Sequence, residues 1–84
     1  MGRPAKPVDE STYAGRFAAR LRKLRENAGL TGEEMADAIT KAGYKCPKRT
    51  YYDWEACESQ PPMNALPFIA QALQIQIRTI FPNF

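Results

Sequence analysis

The chain has 84 residues, of which 44% are hydrophobic and 25% are charged, and its formal net charge is +3 at pH 7. This profile is typical of one small globular domain with a modest core and excludes a disordered chain. No apolar run approaches the roughly 20 residues that span a bilayer, and the N-terminus lacks the apolar core of a signal peptide. We therefore expect a cytoplasmic protein that does not bind a membrane.

The sequence offers little to catalysis or metal binding. It contains no histidine, and its two cysteines, Cys46 and Cys57, are too few for a metal cage and do not form a CxxC pair. We expect both to be free thiols in a reducing compartment. No nucleophile–base pair, carboxylate dyad or glycine-rich phosphate loop is recognisable. We therefore do not expect the protein to be an enzyme or to bind a metal ion, a cofactor or a small-molecule ligand.

The basic residues fall into two groups. Residues 1–25 contain seven Lys or Arg and two acids, and residues 41–49 contain four Lys or Arg and no acid. Two separate basic patches favour a polyanionic partner. The alternative is a solvated surface with chance clustering.

The N-terminal third divides into an arm and a helix. Residues 1–11 contain two prolines and no apolar periodicity, so we expect a flexible basic arm, with the domain at residues 12–84. Phe17, Leu21 and Leu24 follow at i, i+4 and i+7, which predicts a first helix. Gly29 can adopt the positive φ that ends it.

The second helix has a clear predicted start. Thr31 and Glu34 form a T-x-x-E capping box, and Leu30 and Met35 are placed to make a hydrophobic staple across it. The helix continues through Ile39 and ends at Gly43.

The third helix is predicted at about residues 47–56, with Pro47 at its first helical position. Tyr51 and Trp54 share one face, which we expect to be buried. Arg49, Tyr52 and Asp53 fall on the opposite face, with Lys48 at its edge.

The fourth helix contains a proline near its start. If Asn64 is the N-cap, Pro67 lies at the third helical position, where it loses no hydrogen bond, and Met63 and Phe68 form a staple. The tail after Gln74 suits either a strand or a short helical turn. The core anchors expected over the whole chain are Leu21, Leu24, Met35, Ile39, Tyr51, Trp54, Ile69 and Leu73.

These segments together resemble the phage-repressor/Cro-like helix-turn-helix family, also called the xenobiotic-response-element family. FAARLRKLRENAGLTGEEMADAI is similar to its first two helices, KRTYYDWE to its recognition helix, and PPMNALPFIAQALQIQIRTIF to its fourth helix and terminal turn. The resemblance implies an all-helical, five-helix domain that binds operator DNA, usually as a dimer on a two-fold-symmetric site. The expected function is a sequence-specific transcriptional regulator of phage, prophage or plasmid repressor type.

The resemblance also implies which residues meet DNA. The recognition helix would enter the major groove with Lys48, Arg49 and Thr50 nearest the bases, followed by Tyr52 and Asp53. Arg49 is the best candidate to bind guanine, the alternative being an ion pair with Asp53. Asp53 would accept from cytosine or orient Arg49, and Tyr52 would touch a thymine methyl group or a phosphate. The expected phosphate contacts are Lys41, Tyr44, Lys45 and, from its residue type, Lys48.

The sequence departs from the family in three places. Gly32 replaces the Gln that often opens helix 2 and contacts phosphate. The connection TKAGYKCP is about five residues longer than usual, which would extend helix 2 by a turn or form a loop. Cys57 replaces the glycine that follows the recognition helix, so we expect a different turn there, because cysteine disfavours positive φ.

Two further hypotheses remain open. In the arm, Arg3 and Lys6 are placed to enter an adjacent minor groove, although an arm without function is the simpler alternative. The whole domain is alternatively a protein-interaction module, such as an antitoxin or adaptor. Its partner would then dock on the apolar tail, whose residues are Ile75, Ile77, Ile80, Phe81 and Phe84.

Overall fold

The computed structural model describes residues 8–83, which form four α-helices, two 3-10 turns and no β-strand. The helices are α1 (Tyr13–Asn27), α2 (Gly32–Ala42), α3 (Lys48–Glu55) and α4 (Leu66–Leu73), and the turns are Met63–Ala65 and Ile77–Ile80. The all-helical prediction is confirmed for this part of the chain. The tail forms a helical turn and not a strand, and this turn stands where a fifth helix was expected. Arg3, Lys6 and Phe84 lie outside the described residues.

Local hydrogen bonds cap both ends of helix α1. The Thr12 side chain accepts from the backbone N–H of Gly15 at 3.0 Å, which caps the first turn. At the other end Gly29 has φ +77°, as predicted, and the N–H of Leu30 donates to the carbonyl of Arg25 at 3.2 Å. This is a Schellman ending, so the turn into α2 is fixed by backbone geometry.

Helix α2 confirms the predicted capping box. The N–H of Glu34 donates to Thr31 Oγ1 at 3.1 Å, and the N–H of Thr31 donates to Glu34 Oε1 at 2.9 Å. Gly43 ends the helix with φ +133°. Both bounds of α2 therefore lie where the sequence placed them.

The connection between α2 and α3 is an ordered loop and not an extra helical turn. The N–H of Cys46 donates to the hydroxyl of Thr40 at 3.0 Å, and Cys46 is itself buried. The ring of Tyr44 packs between Trp54 and Phe68, with centroid distances of 6.4 and 6.2 Å. The additional residues thus fill the space between α3 and α4.

Two predicted helix starts are each wrong by one residue. Pro47 is the N-cap of α3 and not its first helical residue, because its ψ of 149° is extended. Asn64 lies inside the 3-10 turn, Ala65 is the N-cap of α4, and Pro67 is the second helical residue, where its missing N–H still costs nothing. Met63 is 82% exposed, so the predicted staple with Phe68 is absent.

The core agrees closely with the expected anchors. Seven of them are buried, and Leu24 is half-buried against the same cluster. The tail adds Ile80, which is fully buried, and Phe81, whose ring centroid lies 5.7 Å from that of Phe17. No helix within residues 8–83 is long and apolar enough to cross a membrane.

The turn after α3 corrects the expectation for Cys57. This residue has φ +60°, and the N–H of Glu58 donates to the carbonyl of Asp53 at 3.0 Å. The turn is therefore the ordinary left-handed ending, with a side chain where glycine is usual. The two hydrogen bonds that close the turn hold Cys57 in a conformation that costs a non-glycine residue about 1–2 kcal/mol.

Replacing Cys57 by glycine should stabilise the domain. We expect Cys57→Gly to raise the free energy of unfolding by about 1 kcal/mol, because glycine adopts positive φ without a steric penalty, offset partly by its greater freedom in the unfolded chain. Ala56→Gly is the matched control, since Ala56 has φ −82° and glycine gains nothing there. Urea denaturation followed by circular dichroism measures both. A Cys57→Gly protein that unfolds at lower urea than the parent contradicts the prediction.

Candidate nucleic-acid interface

The inner face of α3 is held by two buried aromatic side chains. Tyr51 is 0% exposed and Trp54 is 2% exposed, and their rings meet edge to face with centroids 6.2 Å apart. The predicted inner face is confirmed. An eight-residue helix is too short to be stable alone in water, so these contacts fix its position.

A buried ion pair ties the end of α3 to the end of α1. Arg25 donates from Nε to Glu55 Oε2 at 2.6 Å and from Nη2 to Glu55 Oε1 at 3.1 Å, in a bidentate arrangement. The Tyr51 hydroxyl donates to the same carboxylate, and Arg25 Nη1 donates to the carbonyl of Leu30 at 2.8 Å. The side chains of Arg25 and Glu55 are only 13% and 9% exposed. This network joins α1, the entry to α2, and α3.

Protonation equilibria in the network favour these bonds. The hydrogen bond that Arg25 donates to Glu55 raises the pKa of Arg25 above the ordinary value for arginine. Burial, with the nearby Glu55 charge, raises the pKa of Tyr51 well above the ordinary value for tyrosine. Tyr51 therefore remains a proton donor to Glu55 at any physiological pH.

This network was not predicted from the sequence, although the sequence carries a signal for it. Arg25 continues the core stripe of Phe17 and Leu21 at a spacing of four residues, and Glu55 follows Tyr51 at the same spacing. Opposite charges on the core faces of two helices predict a buried pair. Nothing in the spacing identifies which charge on which helix is the partner.

The outer face of α3 carries the residues expected to meet DNA. Lys48, Arg49 and Tyr52 are exposed, and Thr50 and Asp53 are half-buried. The side chain of Arg49 makes no hydrogen bond or ion pair with any described residue, so the alternative pairing with Asp53 does not form there. Its guanidinium is therefore available to a ligand.

Helix α3 crosses α2, and two contacts mark the crossing near the start of α2. Lys48 Nζ lies 3.7 Å from Glu33 Oε2, in a pair whose side chains are more than 60% exposed. Tyr52 packs its ring directly on the backbone of Gly32, where a Cβ atom would lie 2.6 Å from Tyr52 Cζ. The absence of a side chain at Gly32 is what allows this approach.

The expected phosphate contacts flank the α2–α3 connection. Lys41, on the last turn of α2, and Lys45, within the connection, are both exposed. Tyr44 is half-buried with its ring packed against Trp54 and Phe68, so its ring is occupied by packing within the domain. Around the connection, Lys41 and Lys45 therefore face solvent, whereas the packed ring of Tyr44 stabilises the fold.

This arrangement of α2, connection and α3 is a helix-turn-helix. A family model described as "Helix-turn-helix domain" matches residues 16–78, three quarters of the chain. The protein belongs to this family, which confirms the resemblance seen in its sequence. Among curated proteins, no significant sequence match is found.

The buried pair should contribute far more to stability than an exposed one. We expect Glu55→Gln to lower the free energy of unfolding by about 2 kcal/mol, because it leaves the largely shielded Arg25 charge without its counter-ion. Glu26→Gln is the matched control. It removes the exposed pair with Arg22, whose side chains are 52% and 53% exposed, and should cost at most about 0.5 kcal/mol. Equal losses in chemical denaturation would contradict the structural role of Glu55.

Proposed function

We propose that the protein is a sequence-specific double-stranded DNA-binding transcriptional regulator of phage, prophage or plasmid repressor type, acting in the cytoplasm. The observation that carries this proposal is the contrast between the two faces of α3. Its inner face is anchored by Tyr51, Trp54 and the Glu55 ion pair, whereas Arg49 on its outer face has no partner among the described residues. A rigid helix with a free guanidinium is suited to reading base edges.

The dimensions of α3 fit the major groove. An α-helix with its side chains is about 10–12 Å across, which matches the width of about 12 Å of that groove. Arg49 lies in the first turn, from which a bidentate contact to guanine O6 and N7 is geometrically natural. Thr50, Tyr52 and Asp53 then face the neighbouring base pairs, with Asp53 accepting from cytosine or orienting Arg49.

Phosphate contacts would position the helix in this groove. Lys41 and Lys45 are exposed beside the connection, and within residues 8–83 the Lys48 side chain is paired only with the exposed Glu33. Such a pair contributes little in water, so a phosphate can replace the Glu33 carboxylate. Any contribution of Tyr44 would come from its hydroxyl, since its ring is packed.

A selection from random duplexes tests the proposal. We expect one sequence to be enriched, with binding that weakens steeply as salt is raised. Arg49→Ala should relax specificity at one base pair by about 1–3 kcal/mol, because a bidentate contact is lost. Lys45→Ala should weaken binding to all sequences alike and reduce the salt slope by about 1.

Arg22→Ala is the control for these variants, since Arg22 lies on α1 and pairs with Glu26. It should leave both specificity and salt slope unchanged. If no sequence is enriched, the protein is not a sequence-specific regulator. If no duplex is shifted even at low salt, a protein-interaction module becomes the better hypothesis.

We further propose that the protein binds a two-fold-symmetric site as a homodimer. The tail provides two exposed apolar side chains, Ile77 at 43% and Phe81 at 38% exposure. The remaining described apolar residues of the tail serve the domain itself, because Ile80 is buried and Ile75 packs on the core. A partner on the tail would therefore meet a small surface, which suits weak association reinforced by DNA.

Ile77→Ser tests the dimer. We expect this variant to lose cooperative binding to paired half-sites while binding a single half-site as tightly as the parent does, as measured by gel shift and sedimentation. Met63→Ser, at a methionine that is 82% exposed, is the matched control and should change neither. Loss of cooperativity in both variants, or in neither, contradicts an interface at the tail. A chain ending at Gln74 would be less informative, because it removes Ile80 from the core.

A further inference from the structure

Tyr52 differs from the other outward residues of α3 because a second helix fixes its ring. A Cβ atom built on Gly32 would lie 2.6 Å from Tyr52 Cζ and 2.8 Å from its hydroxyl oxygen, so the ring fills the space of a side chain at position 32. The ring of Tyr51 also packs against it in an edge-to-face arrangement, at a centroid distance of 6.3 Å. Tyr52 is nevertheless 46% exposed. It is an aromatic group held in place at the surface.

The contact with Gly32 also orients the ring. The atoms nearest to Gly32 are the hydroxyl oxygen, Cζ and one neighbouring carbon, so the hydroxyl end and one edge lie against α2. Apart from the hydroxyl, the ring carries only carbon-bound hydrogens, and the residue as a whole is 46% exposed. Tyr52 follows Arg49 by three residues, which makes the two side chains neighbours on the helix surface.

We propose that Tyr52 is a specificity-determining residue that contacts the C5-methyl group of a thymine adjacent to the guanine bound by Arg49, and that Gly32 is its positioning residue. This inference rests on the proposed function. In the major groove the thymine methyl is the apolar feature that distinguishes this base, and apolar side-chain atoms are what recognise it. A ring fixed before binding loses little conformational freedom when it makes this contact.

Substitution of single thymines by deoxyuridine, which lacks the methyl group, tests the proposal on the selected duplex. We expect one substitution per half-site, next to the Arg49 guanine, to weaken binding about fourfold, which corresponds to about 0.8 kcal/mol for one buried methyl group. Deoxyuridine at thymines outside the half-site is the control and should have no effect.

Variants at the two positions identify the group responsible. Tyr52→Ala should bind the thymine and deoxyuridine duplexes equally, and Tyr52→Phe should keep the fourfold difference, because the carbon edge makes the contact. Gly32→Ala should also lose the difference, since its methyl group displaces the ring. A melting curve for each variant establishes that it is folded. Should Gly32→Ala fail to fold, the comparison of Tyr52→Ala with Tyr52→Phe decides the outcome.

Three results would overturn the inference. The first is a selected site without thymine next to the Arg49 guanine, and the second is equal binding of thymine and deoxyuridine duplexes by the parent. The third is a Tyr52→Phe variant that no longer distinguishes the thymine duplex from the deoxyuridine duplex, which would assign the discrimination to the hydroxyl and not to the ring carbons. Each leaves sequence-specific binding intact, whereas failure to enrich any duplex refutes the proposed function itself.

Discussion

The carboxylate of Glu55 holds α3 in place by accepting hydrogen bonds from Arg25 and Tyr51 where little water competes. A buried carboxylate is costly unless it is paired and fully hydrogen-bonded, and here both conditions are met. Arg25 also binds the carbonyl of Leu30, just before α2 begins. One pair of charges therefore sets the position of α3 relative to both α1 and α2. A shift of Glu55 would move every residue on the outer face of α3.

The longer α2–α3 connection supplies the corresponding restraint at the start of α3. Thr40 accepts from the N–H of Cys46, and Tyr44 packs between Trp54 and Phe68. These contacts join the connection to α2, α3 and α4 at once. The longer connection is therefore packed into the domain and is not a flexible linker. Because α3 is fixed at both ends, its tilt on DNA follows from the domain and need not equal that of relatives with a short turn.

Features that depend on local sequence could be predicted, and features that depend on distant contacts could not. The Thr31–Glu34 capping box and the Gly29 ending involve residues within a few positions of each other, and the buried face of α3 follows from helical periodicity. The Arg25–Glu55 pair joins residues 30 positions apart. At Cys57 the expectation from the residue type was wrong, because the turn imposes a positive φ that cysteine disfavours. At the candidate site, the outward residues were identified, but the packing of Tyr52 on α2 required the structure.

The packing of Tyr52 on Gly32 also gives a structural reason for one departure from the family pattern, the glycine that opens α2. A side chain opening α2 and a tyrosine at position 52 cannot occupy the same space, since their atoms would approach within 3 Å. Gly32 is therefore better understood as the space that Tyr52 needs than as a lost contact residue. The start of α2 and the middle of α3 then form one surface, on which the Tyr52 ring is packed and the Arg49 side chain has no partner among the described residues. A packed apolar ring suits contact with a thymine methyl group, and a guanidinium without an internal partner suits the directional hydrogen bonds of a base edge.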